Sequence, residues 1–155
     1  MGFNKSITQG VHNLTTDDRT EIFYSSAHTG VIYNYETKKQ KLLQGHCNWI
    51  TSTACSADKN LIVTADSGQD SMLVIWDSVW GTPKRTYFTP HENGVIYLDI
   101  SPDSNYVVTL SNCIPQTISI WEINNEERIE PLVTTTFTSN KAKMQHDVRF
   151  NTHQI

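Results

Sequence analysis

His46, Thr64 and Asp70 bring an imidazole, a hydroxyl and a carboxylate into one short stretch of this 155-residue chain. Those are the groups of a nucleophilic triad, in which the ring takes the hydroxyl proton and the acid orients the ring. The same ring and hydroxyl recur downstream as His91 and Thr109, with no aspartate in the 111–116 turn that follows. A catalytic set is needed once, whereas a set that recurs and loses members one at a time belongs to a repeated structural unit. No G-x-S-x-G elbow presents a serine either. Asp66-Ser67-Gly68-Gln69-Asp70 has the acid density of a calcium loop, but it lacks the D-x-D-x-D-G alternation and the closing glutamate and reads as a turn. His12, His28, His146 and His153 have no metal-ligand spacing, and Cys47, Cys55 and Cys113 are odd in number with no C-x-x-C pair. No catalytic site, cofactor or metal centre is expected.

The elements that must carry these residues repeat. From His46 to His91 is 45 residues, from Trp76 to Trp121 is again 45, and Ser56-Ala57-Asp58 is answered at the same offset by Ser101-Pro102-Asp103. A period of ~40–45 residues is that of a four-stranded propeller blade. Within each unit the apolar runs are short, β-branched and interrupted by turn residues, which suits strands and not helices. The first complete unit is expected to form strands at 49–55, 61–65, 72–77 and 84–88, and the second at 95–101, 106–110, 117–123 and 132–137. Asp58-Lys59-Asn60, the 67–70 stretch and Gly81-Thr82-Pro83 supply the turns of the first. Upstream, 21–26, 30–35 and 40–43 make three strands of an incomplete unit, and 147–151 opens another.

The expected organisation is therefore a lead-in over 1–20 and an all-β propeller segment over 21–155. That segment divides into a partial blade at 21–43, full blades at 45–88 and 91–137, and the start of a further blade at 145–155. About three blades do not close a ring that takes about four to eight. An open array leaves edges and apolar faces unpartnered, so the remaining blades are expected from another chain or from the remainder of a longer one.

A net charge of -4 without a long block of one sign argues against nucleic acid as a partner. No run approaches the ~20 apolar residues of a membrane span, so no membrane partner is expected, and cysteine usage fits a reducing, intracellular setting. The loops expected to meet partners are 111–116 and 124–130.

Gly45-His46, Thr64, Asp70 and Trp76-Asp77 resemble the repeat of the WD-repeat family, whose fold is a β-propeller. The resemblance implies a buried hydrogen-bonded tetrad of His46, Thr64, Asp70 and Trp76, with His91, Thr109 and Trp121 as second-blade equivalents. In that second unit Pro90 stands where the pattern has glycine and Glu122 where it has aspartate. Two stretches are more specific: Ala27-His28-Thr29-Gly30-Val31-Ile32-Tyr33-Asn34, and the long turn at 65–70 followed by Trp76-Asp77-Ser78 and Gly81-Thr82-Pro83. The turn is similar to that of the echinoderm microtubule-associated protein-like propellers. Together the stretches look most like the ciliary WD-repeat subunits of the calmodulin- and spoke-associated complex, over residues 2–150.

What this resemblance implies is a non-catalytic scaffold of the motile ciliary axoneme that helps dock or stabilise a radial spoke base on doublet microtubules. Its partners would be other axonemal or radial-spoke proteins. One alternative is a microtubule-binding propeller that contacts tubulin directly. The other is a propeller hydrolase, which would need unrepeated acids, bases or arginines clustered at strand ends. Arg19, Arg85, Arg128 and Arg149 are instead far apart in the sequence.

Overall fold

The computed structural model describes residue 7, residues 10–137 and residues 143–151, and the regular structure among them is all strand. Strands β1 (Val11–Asn13), β2 (Glu21–Ser26), β3 (Thr29–Asn34) and β4 (Gln40–Leu43) form one antiparallel sheet in chain order. A second consists of β5 (Ile50–Cys55), β6 (Leu61–Asp66), β7 (Met72–Asp77) and β8 (Thr82–Phe88). The third pairs β9 (Val95–Ile100), β10 (Tyr106–Ser111), β11 (Thr117–Glu122) and β12 (Val133–Thr136). Each sheet is a simple meander, and the three stand face to face as an open, propeller-like segment.

Burial follows from that stacking. In β2, buried and half-buried residues alternate, as expected for a sheet with one face covered. In β6, at the middle of the middle sheet, every residue is buried, because its two faces meet different neighbours. Phe23, Ile32, Leu43, Ile62, Val74 and Trp76 fill the space between the first and second sheets. Val63, Leu73, Ile75, Leu98, Val107 and Trp121 are among those that fill the space between the second and third. With about 25 cal/mol gained per Å² of apolar surface removed from water, these two layers are the main force holding separate sheets together.

Two expectations are corrected. The first unit is not a three-stranded partial blade, because Val11–Asn13, placed within the lead-in, pairs with β2 as a fourth strand. Its residues are too few to show a period, and tertiary pairing decides the matter. Conversely, 147–151 is not a strand. Instead, Gln116 holds Gln145 at both its N–H and its C=O, and the Phe150 N–H donates to Asp99 at 2.9 Å. Smaller shifts lie at strand ends: β8 begins earlier, at Thr82, and takes Pro83 at a register break on an outer strand, where a missing N–H does no harm. Residues 1–6 and 8–9 of the expected lead-in, residues 152–155 of the further blade and therefore His153 lie outside the described residues.

Where the second and third sheets meet, Gly94 bridges Ser67 with φ +80°. A Cβ on Gly94 would stand 2.5 Å from the Ser67 Cα and 2.7 Å from the Asp66 carbonyl oxygen, both backbone atoms that cannot swing aside. Gly94→Ala is therefore expected to lower stability by about 3 kcal/mol or more, combining a strained φ with overpacking. Urea unfolding of the two forms measures it, and an alanine variant as stable as the parent would refute the contact.

Candidate functional site

The side chains singled out by type and spacing gather where the loop before each second and third sheet folds over its own strands. In the second sheet Thr64 pairs with Val74, so Trp76, two residues on, lies diagonally across on the same face. The Trp76 indole N–H donates to Thr64 Oγ1 at 2.8 Å. His46, delivered by the β4–β5 loop, places Nε2 2.6 Å from the same oxygen. Its Nδ1 stands 3.0 Å from a carboxylate, and that carboxylate is Asp66, not Asp70.

Asp66 is fully buried, and its second oxygen accepts the Met72 N–H at 2.6 Å. Because a carboxylate only accepts, the imidazole presents an N–H at Nδ1, and with that tautomer Nε2 accepts a hydrogen bond from the Thr64 hydroxyl. Asp70 sits in the turn, exposed, with φ +54°. Residues two apart share one face of a strand, so Thr64 and Asp66 approach the ring from the same side while Asp70 lies beyond the strand end.

The third sheet repeats this geometry without the acid. Trp121 donates to Thr109 at 2.9 Å, and His91 Nε2 lies 2.8 Å from the same hydroxyl. The position 45 residues after Asp66 is Ser111, whose hydroxyl accepts the Thr117 N–H at 2.7 Å, as Asp66 accepts that of Met72. Burial alone pushes the His91 pKa down to about 4, so the ring is neutral near pH 7. After Trp121, Glu122 takes part in the following loop by accepting from Asn125 at 3.3 Å, whereas Asp77 in the second sheet caps the Val79 and Trp80 amides at 2.9 Å each.

Further polar contacts tie sheet to sheet. His12 on β1 reaches Thr53 on β5 with a 2.8 Å hydrogen bond, a role its isolated position in the sequence did not signal. Arg19 donates to Ser78 at 3.0 Å and to the Lys59 carbonyl, joining the first sheet to the second. Arg85 lies over the Tyr87 ring and donates to the carbonyls of Ile123, Asn125 and Arg128, which fixes the 124–130 loop. In the other expected contact loop, Ser111 and Gln116 face inward and are buried, and Ile114 is left at the tip. Among the described residues no group of three or more histidine, cysteine or acidic side chains has the geometry to hold a metal ion.

Asp66 at the end of β6 and Asp70 in the turn that follows should separate cleanly in urea unfolding. Asp66→Ala strands the buried ring N–H and the Met72 N–H and is expected to cost about 3 kcal/mol, while Asp70→Asn stays within about 0.5 kcal/mol. Equal effects would show that Asp66 does not hold the ring.

His91 gives a pH test. Between pH 6.5 and 4 the unfolded chain protonates this ring and the folded chain does not, so stability falls as pH drops through that window, by on the order of 2–3 kcal/mol. Ser111→Asp, which puts a carboxylate where Asp66 stands in the second sheet, is expected to raise the His91 pKa and reduce that loss. An NMR titration of the ring, with melts at both pH values, reads both effects.

The family model described as the CFAP251 N-terminal domain matches residues 1–155. Cilia- and flagella-associated protein 251 of Tetrahymena thermophila is 52% identical over 97% of this chain and 16% of its own length. The protein of the same name from Chlamydomonas reinhardtii is 33% identical over 97% of this chain and 20% of its own. A more distant likeness, 31% identity over 53% of this chain and 26% of the other, links it to Cross-pathway control WD-repeat protein 2 of Flammulina velutipes. The chain thus spans a fifth or less of the length of the two ciliary relatives. On the strength of the match along its full length, the chain belongs to the family of the cilia- and flagella-associated protein 251 N-terminal domain.

Proposed function

We propose that the chain is part of a non-catalytic interaction scaffold of the motile ciliary axoneme, helping to dock or stabilise a radial spoke base on doublet microtubules. The observation that carries this reading is the family match across residues 1–155, with relatives named for cilia and flagella. The cilium or flagellum is where a member of that family resides. Its partners are other axonemal or radial-spoke proteins, and the sheets that flank this segment come from the remainder of a longer chain or from another chain.

The chemistry supports the non-catalytic part. His46, Thr64 and Asp66 spend their protons and lone pairs on one another, on Trp76 and on the Met72 amide, inside the fold. Both hydroxyls of the relay, Thr64 and Thr109, are buried under an indole. The surface left for partners is made of turns and outer strands, and it is there that function must be sought. A second reading, direct contact with tubulin, rests on the likeness of the 65–70 stretch to that of the microtubule-associated protein-like propellers.

A fluorescently tagged chain expressed in a ciliated cell is expected to stay with the axoneme after detergent extraction; a signal that leaves with the soluble fraction would sink the scaffold reading. Cosedimentation with pure microtubules separates the two partners. Pelleting by tubulin alone would favour direct binding, and pelleting only with axonemal proteins present would favour the spoke.

A further inference from the structure

Three of the five prolines follow a hydroxyl-bearing residue, in Thr82-Pro83, Thr89-Pro90 and Ser101-Pro102. The fold treats the three hydroxyls differently. Ser101 is buried, and its Oγ is spent on Asp103 and on the Tyr106 N–H, which it accepts at 2.9 Å. Thr89 is exposed, but it has φ +48° and its N–H donates to the Ser71 carbonyl at 2.8 Å, so the chain turns there. Thr82 opens β8, the outer strand of the second sheet, as the first of three consecutive exposed residues. Among the described residues its hydroxyl makes no hydrogen bond.

The backbone at Thr82 is extended, and its pairing is interrupted. Asp77 pairs with Thr82 and Trp76 with Pro83, but Ile75 pairs with Arg85, so Lys84 is bulged out of the ladder. Pro83 has no N–H to satisfy. An exposed hydroxyl on an extended outer strand, followed by proline, suits a proline-directed protein kinase. The pocket of such a kinase offers no acceptor to a backbone N–H after the phosphorylated residue, and any other residue there leaves one stranded. The side chains that follow sort kinases further. Lys84 is exposed, but Arg85, three residues after Thr82, lies over the Tyr87 ring and donates to the carbonyls of Ile123, Asn125 and Arg128. A kinase that needs a base at that place finds none free in the folded chain.

We propose that Thr82 is a phosphorylation site for a kinase that reads the following proline and requires no base three residues on. The Thr82 oxygen attacks the γ-phosphorus of ATP, the bond to the bridging oxygen of the departing ADP breaks, and the hydroxyl proton goes to the kinase's catalytic aspartate. The product carries about -1.5 to -2 charges directly across the ladder from Asp77, and like charges so placed repel. Asp77 caps the Val79 and Trp80 amides, and the turn that it caps is joined to the first sheet by Arg19 at Ser78 and by Lys41 at the Val79 carbonyl. Phosphorylation therefore loosens one joint between the first and second sheets. The proposal does not rest on the scaffold reading.

The test uses the full chain, ATP and two purified kinases, and tandem mass spectrometry reads the site. A kinase of the mitogen-activated type, which requires only the proline, is expected to place phosphate on Thr82 and on neither Thr89 nor Ser101. Thr82→Ala should abolish the labelling and Thr82→Ser should retain it, with circular dichroism checking that each variant is folded. A kinase of the cyclin-dependent type, which favours a base three residues after the acceptor, should modify a synthetic peptide of residues 76–88 about tenfold or more faster than the folded chain. The phosphorylated chain should melt about 2–4 °C below the unmodified one, and Asp77→Asn should remove most of that difference. Absence of phosphate from Thr82 of the folded chain overturns the proposal, whether or not the peptide is modified, and so does labelling of Thr89 or Ser101 in its place. Equal rates on chain and peptide with the second kinase overturn the choice of kinase class, and unchanged melting overturns the loosening of the joint.

Discussion

A buried indole N–H is costly unless something accepts its proton, and the second and third sheets are organised around meeting that need. Trp76 and Trp121 are large enough to reach across to the neighbouring sheet, Trp76 among Phe23 and Leu43 and Trp121 against the Tyr87 ring at 4.7 Å between centroids. Each can be there because a threonine one strand away takes its N–H, and each threonine is in turn met by a histidine from the loop above. Apolar area drives the stacking of sheets, while the polar chain fixes the loop that starts each sheet relative to its third strand. Removing one member exposes the others to the full cost of an unmet buried group, so the set acts as a unit.

The two copies of this chain are unequal, and the inequality has one atomic origin. Asp66 satisfies both the ring N–H and the amide that begins β7; Ser111 is long enough only for the amide that begins β11. The second sheet, flanked on both faces by other sheets, thus has a carboxylate side chain at the end of β6 that meets both the ring and the amide. Sheets are further joined by Arg19, which reaches the Lys59 carbonyl and the Ser78 hydroxyl, and by Arg85, which reaches three carbonyls of the third unit. Guanidinium suits this task because its donors are arranged in a planar fork that several carbonyls can share.

Much of this was legible in the residues. The 45-residue offset located the second and third sheets, since it repeats large, chemically unusual side chains that a four-stranded unit places at equivalent points. Strand centres followed from β-branched runs, whereas strand ends depended on partners and shifted by a few residues. The acid that meets the His46 ring differs from the expected Asp70 because two aspartates stand four residues apart, one closing β6 and one in the turn, and the motif's usual position for an acid is in the turn. The strand period would have decided it: Asp66 lies two residues after Thr64 and Ser111 two after Thr109, on the faces that carry the hydroxyls. The short β1 has one apolar residue and takes its place from pairing and from His12, neither of which a local pattern can carry. The 147–151 stretch has the alternation of a strand, yet a strand is made by its neighbour, and none is described for it.

The outer strands differ in how they meet solvent. Lys41 lies on β4, and Pro83, Lys84 and Arg85 lie on β8, so that charge or a missing N–H blunts both edges. β12 has only Val133 and three threonines, all exposed, with Ser119 and Thr117 hydroxyls across from them. Nothing on that margin repels another backbone. An edge of that composition is one to which a further backbone can pair, whether it belongs to this molecule or to a neighbour.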